Sequence, residues 1–238
     1  MLAAAAALYG APAAMVIPPV TRLLTRTARP AAGPHLILTF DDGPHPRATL
    51  AVLDILAEAG VAATFFVVGE QADRYPHVLE RIAAGGHQVA LHGYRHQLLL
   101  RRSPAATIDD IRRGHSTVYR ITGQRPRWYR PPYGTATWPA LAAAQHLQMT
   151  PLWWTCEGRD WQPSRQPAAV ADRILRRDRH GHPRLDHRDV LLLHDSDAYA
   201  ATGSWQATVQ ALPIILTEIA STGLTIGPLE KPLQSSRR

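Results

Sequence analysis

The feature that most restricts the fold of this chain is its repeated alternation between short apolar runs and amphipathic stretches. Residues 35–40, 62–68 and 189–194 are largely apolar, and each run precedes a segment with helical periodicity. Strands that are apolar throughout must be covered on both faces, which is typical of parallel strands joined by helices. Six or seven such strand–helix units in 238 residues predict a single α/β domain, a closed or nearly closed barrel somewhat short of the eight-unit version.

The alternation also gives the expected elements. The predicted strands are 35–40, 62–68, 87–91, 127–130, 150–155, 189–194 and 224–226. The predicted helices are 48–59, 76–84, 104–121, 140–146, 167–177 and 205–220. Ser103 stands directly before one of these helices, where a hydroxyl can accept from a free backbone N–H, and we expect it to be the N-cap.

Polar residues collect directly after five of the predicted strands. The five clusters are 39–44 (TFDDGP), 92–96 (HGYRH), 130–134 (RPPYG), 157–161 (EGRDW) and 192–195 (LLHD). In an α/β barrel, the loops at the carboxyl ends of the strands build the active site. We therefore expect these five clusters to meet in one site.

The residue types available restrict any metal site. Cys156 is the only cysteine, which excludes an intramolecular disulfide and a cysteine-rich zinc site, so a metal would be held by histidine and carboxylate. His92 and His96 are four residues apart, and on a helical turn both imidazoles would face the same way and could share one ion. Two surface histidines on a turn are the alternative for such an isolated pair.

The adjacent carboxylates Asp41 and Asp42 could complete a site of three ligands. At a strand end that turns into Gly43 and Pro44, both carboxylates can reach one pocket, so that one ligates the metal while the other serves as a base. Two carboxylates in one pocket repel each other unless a cation lies between them. An ordinary polar turn is the alternative interpretation of this sequence.

Taken in order, these motifs resemble those of the polysaccharide deacetylase family, which includes chitin deacetylases, peptidoglycan deacetylases and acetylxylan esterases. The motifs are Thr39–Gly43, His92 with His96, Arg130–Tyr133, Asp160-Trp161 and Leu192–His194, and the match covers residues 35–228. The resemblance implies a distorted (β/α)7 barrel and hydrolysis of acetyl groups on sugars. It also implies a divalent metal, usually zinc and sometimes cobalt or nickel.

The resemblance implies a role for each matching residue. Asp41 would be the general base, His194 the general acid, and the backbone N–H of Tyr133 would face the oxyanion. Arg130 would orient Asp41, and Asp160 would tune His194. The metal ligands would be Asp42, His92 and His96, and the substrate contacts Tyr133, Trp161 and Pro132.

Three features depart from the family pattern or lie outside it. Gly93 stands where the family commonly has serine or threonine, so a hydroxyl that would brace the metal loop is missing. Glu157 stands where the fourth motif usually begins with aspartate; we expect it at the periphery of the site, although with its longer side chain it could take the role of that aspartate. The polar segment 178–189 carries three histidines and is either a solvated loop or a second metal site, and we favour the loop.

The six tryptophans are mostly expected in the core, although Trp138 could stack on a sugar.

The amino terminus is expected to be separate from the catalytic domain, which we place at residues 31–238. Residues 1–20 carry no charged side chain and are followed by three arginines. A membrane anchor, an atypical secretion signal and a surface arm all remain as interpretations of residues 1–30, and we favour the anchor. Arginines after an anchor would hold that side in the cytoplasm, which conflicts with the envelope location expected for a wall-acting enzyme.

The net charge of the chain indicates a class of partner but does not identify one. The formal net charge of +7 favours anionic partners. We expect no nucleic acid, because the basic residues form scattered pairs rather than a stripe with stacking aromatics. The expected function is metal-dependent removal of acetyl groups, chiefly from N-acetylglucosamine units of an envelope polysaccharide, by a monomer. An O-acetyl esterase, a phosphoesterase and a glycan-binding protein without turnover are the alternatives.

Overall fold

The computed structural model describes residues 35–176, 180–187 and 189–229. Its strands are β1 His35–Asp41, β2 Thr64–Val67, β3 Gln88–Leu91, β4 Trp128–Tyr129, β5 Thr150–Pro151, β6 Cys156–Glu157, β7 Val190–His194 and β8 Thr225–Ile226. Its α-helices are α1 Ala48–Ala59, α2 Gly69–Arg74, α3 Pro76–Ala84, α4 Pro104–Thr122, α5 Trp138–His146, α6 Pro167–Leu175 and α7 Trp205–Ser221. Strand and helix alternate for most of the chain, as the apolar pattern predicts.

The strands form one parallel sheet that curls into a partial barrel. Its order is β5-β4-β3-β2-β1-β7-β6, and β8 pairs with the first two residues of β1. Strands β5 and β6 end this order, and they do not pair with each other in the described residues. The prediction of a single-domain, distorted (β/α)7 barrel is confirmed, and the barrel is open rather than closed.

Strand β1 lies near the middle of the sheet and sorts its side chains onto two faces. Leu36, Leu38 and Phe40 pack in the larger hydrophobic cluster with residues of the covering helices. Ile37 belongs to a second cluster on the other face of the sheet, inside the curl. Because side chains alternate along a strand, Asp41 lies on the same inner face as Ile37. The buried apolar residues of β1 thus hold Asp41 at the interior end of the strand.

Helix boundaries follow local signals where these are strong. Helix α1 ends at Gly60, whose φ of 62° is a left-handed conformation that glycine adopts without strain. Ser103 is the N-cap of α4, as predicted, and its Oγ accepts from the Ala106 N–H at 3.2 Å. The six-residue helix Gly69–Arg74 is not predicted from the sequence, because it is too short to show a periodic apolar face.

The predicted strand 150–155 is wrong beyond Pro151. The chain leaves the sheet there, and the carbonyls of Leu152 and Trp153 accept hydrogen bonds from the Arg130 guanidinium at 3.1 and 3.3 Å. A new strand then begins at Cys156. The buried arginine therefore takes backbone acceptors that a continuous strand would use for pairing.

The amino-terminal segments 1–20 and 1–30 lie outside the described residues. In the part of the chain that the structure describes, no helix has both the length and the apolar character needed to cross a membrane. The proposed anchor therefore stays a prediction from the sequence, as does the boundary of the catalytic domain at residue 31.

Candidate active site

The polar strand-end clusters meet around a cavity of ≈ 290 Å³. Seven residues predicted for the site line it: Asp41, Asp42, His92, His96, Tyr133, Trp161 and His194. Arg130 and Asp160 are buried beside it, with exposed fractions of 0% and 1%. Pro132 is buried and is not among the lining residues, and the exposed Trp138 is also outside the cavity. Residues from β1, β7 and the loops after β3 and β4 thus converge as expected.

Three lining residues bring candidate metal-ligating atoms together. Asp42 Oδ1 lies 3.5 Å from His92 Nε2 and 3.4 Å from His96 Nε2, and all three atoms lie within 4.8 Å of one another. Ligand atoms about 2.0 Å from a tetrahedral zinc ion lie about 3.3 Å apart. Asp42 Oδ1 is also buried without a hydrogen-bond partner in the described residues, so this trio fits a divalent ion.

The charge balance of the trio also fits a cation. Burial lowers the pKa of His92 and of His96 to about 3, so both imidazoles are neutral, the form that ligates metals. Burial, together with the nearby carboxylates of Asp41 and Asp195, raises the pKa of Asp42 to about 7. The raised pKa reflects the free-energy cost of ionising Asp42 in a buried site. A divalent cation would offset this cost, since its positive charge compensates the buried carboxylates.

The two histidines do not lie on a helical turn, which corrects the sequence-based expectation. The loop after β3 bends at Gly93, whose φ is 86°, and this bend brings His92 and His96 together. Asp110 on α4 braces the loop by accepting from the backbone N–H groups of Tyr94 at 2.8 Å and Arg95 at 3.3 Å. Asp110 thus braces the metal loop, in which Gly93 lacks the hydroxyl that the family commonly has at this position.

Asp41 is fixed by a fully buried arginine. Arg130 Nη1 donates to Asp41 Oδ1 at 2.6 Å and to Thr39 Oγ1 at 3.0 Å. The guanidinium also lies 4.0 Å over the Phe66 ring. The other carboxylate oxygen of Asp41, Oδ2, lies 3.7 Å from His92 Nε2. Arg130 therefore holds one oxygen and leaves the other beside the candidate metal trio.

His194 is held and charged by Asp160. Its Nδ1 lies 2.9 Å from Asp160 Oδ1, and its backbone N–H donates to Asp160 Oδ2 at 2.7 Å. Thr208 donates to the same oxygen at 2.7 Å. Burial by itself would lower the pKa of His194. The charge of the Asp160 carboxylate and its hydrogen bond have the larger effect, and they raise the pKa of His194 to about 10. With Nδ1 engaged, Nε2 is the ring nitrogen available to the cavity.

The turn 132–134 places Tyr133 at the mouth of the cavity. Tyr133 has a φ of 58°, a left-handed conformation that costs energy for a residue with a side chain. Gly134 N–H closes the turn on the Pro131 carbonyl at 2.9 Å, and Trp153 Nε1 donates to the Gly134 carbonyl at 2.7 Å. These bonds hold the Tyr133 backbone in its strained conformation, while its side chain is 53% exposed.

Five lining residues have no role in the site assigned to them from the sequence: Gly134, Trp154, Glu157, Leu192 and Tyr199. Trp154, expected in the core, lines the cavity next to Gly134. Glu157, expected at the periphery, also lines it and accepts from Trp161 Nε1 at 3.1 Å. Tyr199 lies in the loop after β7 and stacks on His96, with ring centroids 4.5 Å apart. Nothing local in the sequence marks Tyr199, because its partner is about 100 residues away along the chain.

The polar segment 178–189 is partly outside the described residues. The rings of His180 and His182 have centroids 6.4 Å apart. Among the residues that the structure describes, a group of three close candidate ligands occurs only at Asp42, His92 and His96. A second metal site in this segment therefore gains no support.

Comparison with known proteins decides the family. The sequence model of the family "Polysaccharide deacetylase" matches residues 28–152, which is more than half of the chain. The chain belongs to the polysaccharide deacetylase family. This membership makes it a hydrolase of a family that removes acetyl groups from carbohydrates and uses a divalent metal, as the motifs predict.

Individual deacetylases agree with this membership. A chitooligosaccharide deacetylase from Bradyrhizobium sp. is 33% identical over 199 residues, covering 81% of this chain and 87% of the relative. A peptidoglycan-N-acetylglucosamine deacetylase from Bacillus cereus is 29% identical over 210 residues, covering 87% and 72%. The solved family 4 acetyl xylan esterase from Clostridium thermocellum, in complex with a cobalt ion, gives a TM-score of 0.69 at 26% identity and covers 82% and 89%.

Proposed function

We propose that this deacetylase removes N-acetyl groups from N-acetylglucosamine units of a cell-envelope polysaccharide. The observation that carries the proposal is one cavity lined by Asp41, by His194 and by the metal-ligand trio of Asp42, His92 and His96. Amide hydrolysis needs an activated water, stabilisation of the oxyanion and a proton for the departing amine. The similar deacetylases named above act on chitooligosaccharide and on peptidoglycan N-acetylglucosamine.

We propose zinc as the resident ion, held by Asp42, His92 and His96. Two neutral imidazoles and one carboxylate are ligands that suit zinc, and cobalt or nickel can use the same set. When bound, such an ion supplies Lewis-acid polarisation of the acetyl carbonyl and of the attacking water. The rest of the reaction is assigned to side chains and backbone groups of this chain.

Asp41 is proposed as the general base. Its Oδ1 is committed to Arg130 at 2.6 Å, so Oδ2 is the oxygen that can take a proton from the attacking water. Burial raises the pKa of Asp41 above its ordinary value, and the fully buried Arg130 opposes this rise by stabilising the ionised carboxylate. This division of one carboxylate between a holding oxygen and a reacting oxygen fixes where the proton is received.

His194 is proposed as the general acid. Asp160 keeps the imidazole charged, so Nε2 can donate its proton to the nitrogen of the leaving amine. We propose that the backbone N–H of Tyr133 donates to the oxyanion, and that Trp161 and Tyr133 contact the sugar. Pro132, predicted as a substrate contact, is buried and outside the cavity lining, so we propose that it acts by holding the Tyr133 turn.

The strongest alternative is an O-acetyl carbohydrate esterase, given the similarity to the acetyl xylan esterase. An amine leaving group needs a proton more than an alcohol does, and the Asp160–His194 pair supplies one. Acetate release should be compared between N-acetylated chitooligosaccharides, peptidoglycan and O-acetylated xylan, each with and without a chelator. Fastest, chelator-sensitive release from the N-acetylated substrates supports the proposal. Faster release from acetylated xylan would replace it with the esterase.

Replacing His194 by alanine is expected to leave the metal content unchanged and to cost more activity on amides than on esters. The reason is that an activated ester has a leaving group that departs without a proton. Both substrate types should be measured with the same enzyme preparation, after elemental analysis. Equal losses on an N-acetyl substrate and on an activated acetyl ester would remove His194 from the role of acid.

The pH dependence should report the charge on His194. Burial lowers the pKa of His194, but the Asp160 carboxylate holds it above the ordinary 6.5, so imidazolium persists at neutral pH and activity on amides should fall as the pH rises through that raised pKa. In Asp160→Asn the carboxylate that raises the pKa of His194 is gone, so this fall in activity should move to lower pH. The profile of kcat/KM for both proteins checks this shift, and an unmoved basic limb in Asp160→Asn would contradict it.

We propose that residues 1–30 are an arm outside the catalytic domain and that the enzyme acts as a monomer at the cell envelope. No motif residue lies before Thr39. A variant lacking residues 1–30 is expected to fold and to keep the kcat of the full chain. Acetate release by the two proteins, and their distribution between membrane and soluble fractions, check this proposal. A folded but inactive truncation would place the arm in the active site.

A further inference from the structure

The two candidate histidine ligands differ in how their rings are held. His92 Nδ1 lies 2.8 Å from the Arg130 carbonyl, so a hydrogen bond fixes this ring and presents Nε2 to the ion. His96 Nδ1 is buried, and in the described residues it has no hydrogen-bond partner on another residue. Metal-ligating histidines almost always use their second nitrogen in such a bond. His96 therefore needs another source of orientation.

Two tyrosine rings pack against His96. The Tyr199 ring is stacked at 21° with a centroid distance of 4.5 Å, and the Tyr133 ring is tilted at 59° with a distance of 4.4 Å. Such ring contacts stabilise the arrangement of the rings beyond the effect of the area they bury. The Tyr133 side chain is half exposed, so it constrains the imidazole less than a ring that is anchored at its far end.

Tyr199 has that anchor. Its hydroxyl donates to Glu70 Oε1 at 2.6 Å and accepts from Gln71 Nε2 at 3.0 Å. Glu70 and Gln71 lie in the first turn of α2, and Gln71 is 6% exposed. Helix α2 is in turn tied to the metal loop, because the N–H groups of Gly69 and Glu70 donate to the carbonyls of Gly93 and Tyr94 at 2.9 Å. Ring, anchor and loop are thus one connected unit.

We propose that Tyr199 is a positioning residue that orients the His96 imidazole for metal binding by stacking, in place of the missing hydrogen bond to Nδ1. Glu70 and Gln71 hold the phenol at the distance the stack requires. The inference rests on the proposed metal site. It assigns a function in metal affinity to the loop after β7, which carries no ligand of its own.

The test is metal affinity, measured by chelator competition with zinc and by titration with cobalt, for full-length variants. Tyr199→Ala removes the stack and is expected to weaken binding about 10–100-fold, the usual effect of losing a group that supports a ligand. Tyr199→Phe keeps the ring and loses the anchor, so a smaller loss is expected. Glu70→Gln removes the charge of the acceptor and should resemble Tyr199→Phe. Tyr119→Ala, at a tyrosine 46% exposed on α4, is the matched control.

The variants also separate a positioning role from a general structural one. At saturating metal, Tyr199→Ala should recover most of its kcat, whereas a collapsed site would not recover. If Tyr199→Ala does not fold, Tyr199→Phe and Tyr199→Leu compare ring with aliphatic side chain, and only the latter should show the full loss. Wild-type metal affinity in Tyr199→Ala or Tyr199→Leu would overturn the inference about Tyr199 and would leave the proposed metal site standing. Failure of the wild-type protein to bind metal would overturn the proposed metal site itself.

Discussion

Replacing Asp41 by asparagine is expected to lower kcat by about 10²–10⁴-fold, the usual contribution of a general base. Asparagine is nearly isosteric, and its carbonyl oxygen can still accept from Arg130, which donates to Asp41 at 2.6 Å. It cannot take a proton from water at neutral pH. Acetate release measures the loss, and elemental analysis of the same sample should show an unchanged metal content.

The retained metal is what makes this variant decisive. Thermal unfolding should accompany the assay, because the amide leaves the buried Arg130 charge less well compensated. Asp54→Asn, at an exposed aspartate on α1, is a control with the same chemical change and an expected kcat near wild type. Loss of metal in Asp41→Asn would mean that Asp41 and Asp42 have exchanged roles. Unchanged kcat would remove Asp41 from proton transfer.

Replacing His92 or His96 by alanine is expected to abolish metal binding and activity together. Only two of the three ligands would remain, and two side chains hold a divalent ion poorly. Each variant also removes one neighbour of the buried Asp42 carboxylate, either His92 Nε2 at 3.5 Å or His96 Nε2 at 3.4 Å from Oδ1. Elemental analysis after dialysis and acetate release check the two losses separately.

His77→Ala is the control for this pair of variants, since His77 is exposed on α3 and does not line the cavity. It should keep both metal and activity. Stoichiometric zinc in folded His92→Ala or His96→Ala would show that the trio with Asp42 is not the metal site.

The sequence predicts most of the fold because its strong signals are local. Helices 48–59 and 76–84 have the bounds found in the structure, since glycine follows each of them directly. The two-residue strands Thr150–Pro151 and Cys156–Glu157 have no periodicity to detect, and their break depends on Arg130, whose partners come from a distant loop. Whether the barrel closes depends on whether the short end strands β5 and β6 pair with each other, and the sequence pattern does not predict such pairing.

The candidate site divides in the same way. The residues with a motif, from Asp41 to His194, are placed together because parallel strands end at one face. The supporting residues are not predicted, because each acts through a contact made only on folding. Asp110 reaches the metal loop from the middle of α4, and Tyr199 reaches His96 from the loop after β7. Their side chains are ordinary in sequence and specific only in position.

The most direct test of the central claim is acetate release from N-acetylated chitooligosaccharides by one preparation assayed as purified, after chelation, and after zinc is restored. The account predicts that each acetate appears with one free amine, that chelation stops the reaction, and that zinc restores it. Asp41→Asn should show a kcat about 10²–10⁴-fold below wild type, both as purified and after zinc is restored. Acetate release that survives complete metal removal, or no release from any acetylated glycan by the zinc-loaded enzyme, would contradict it.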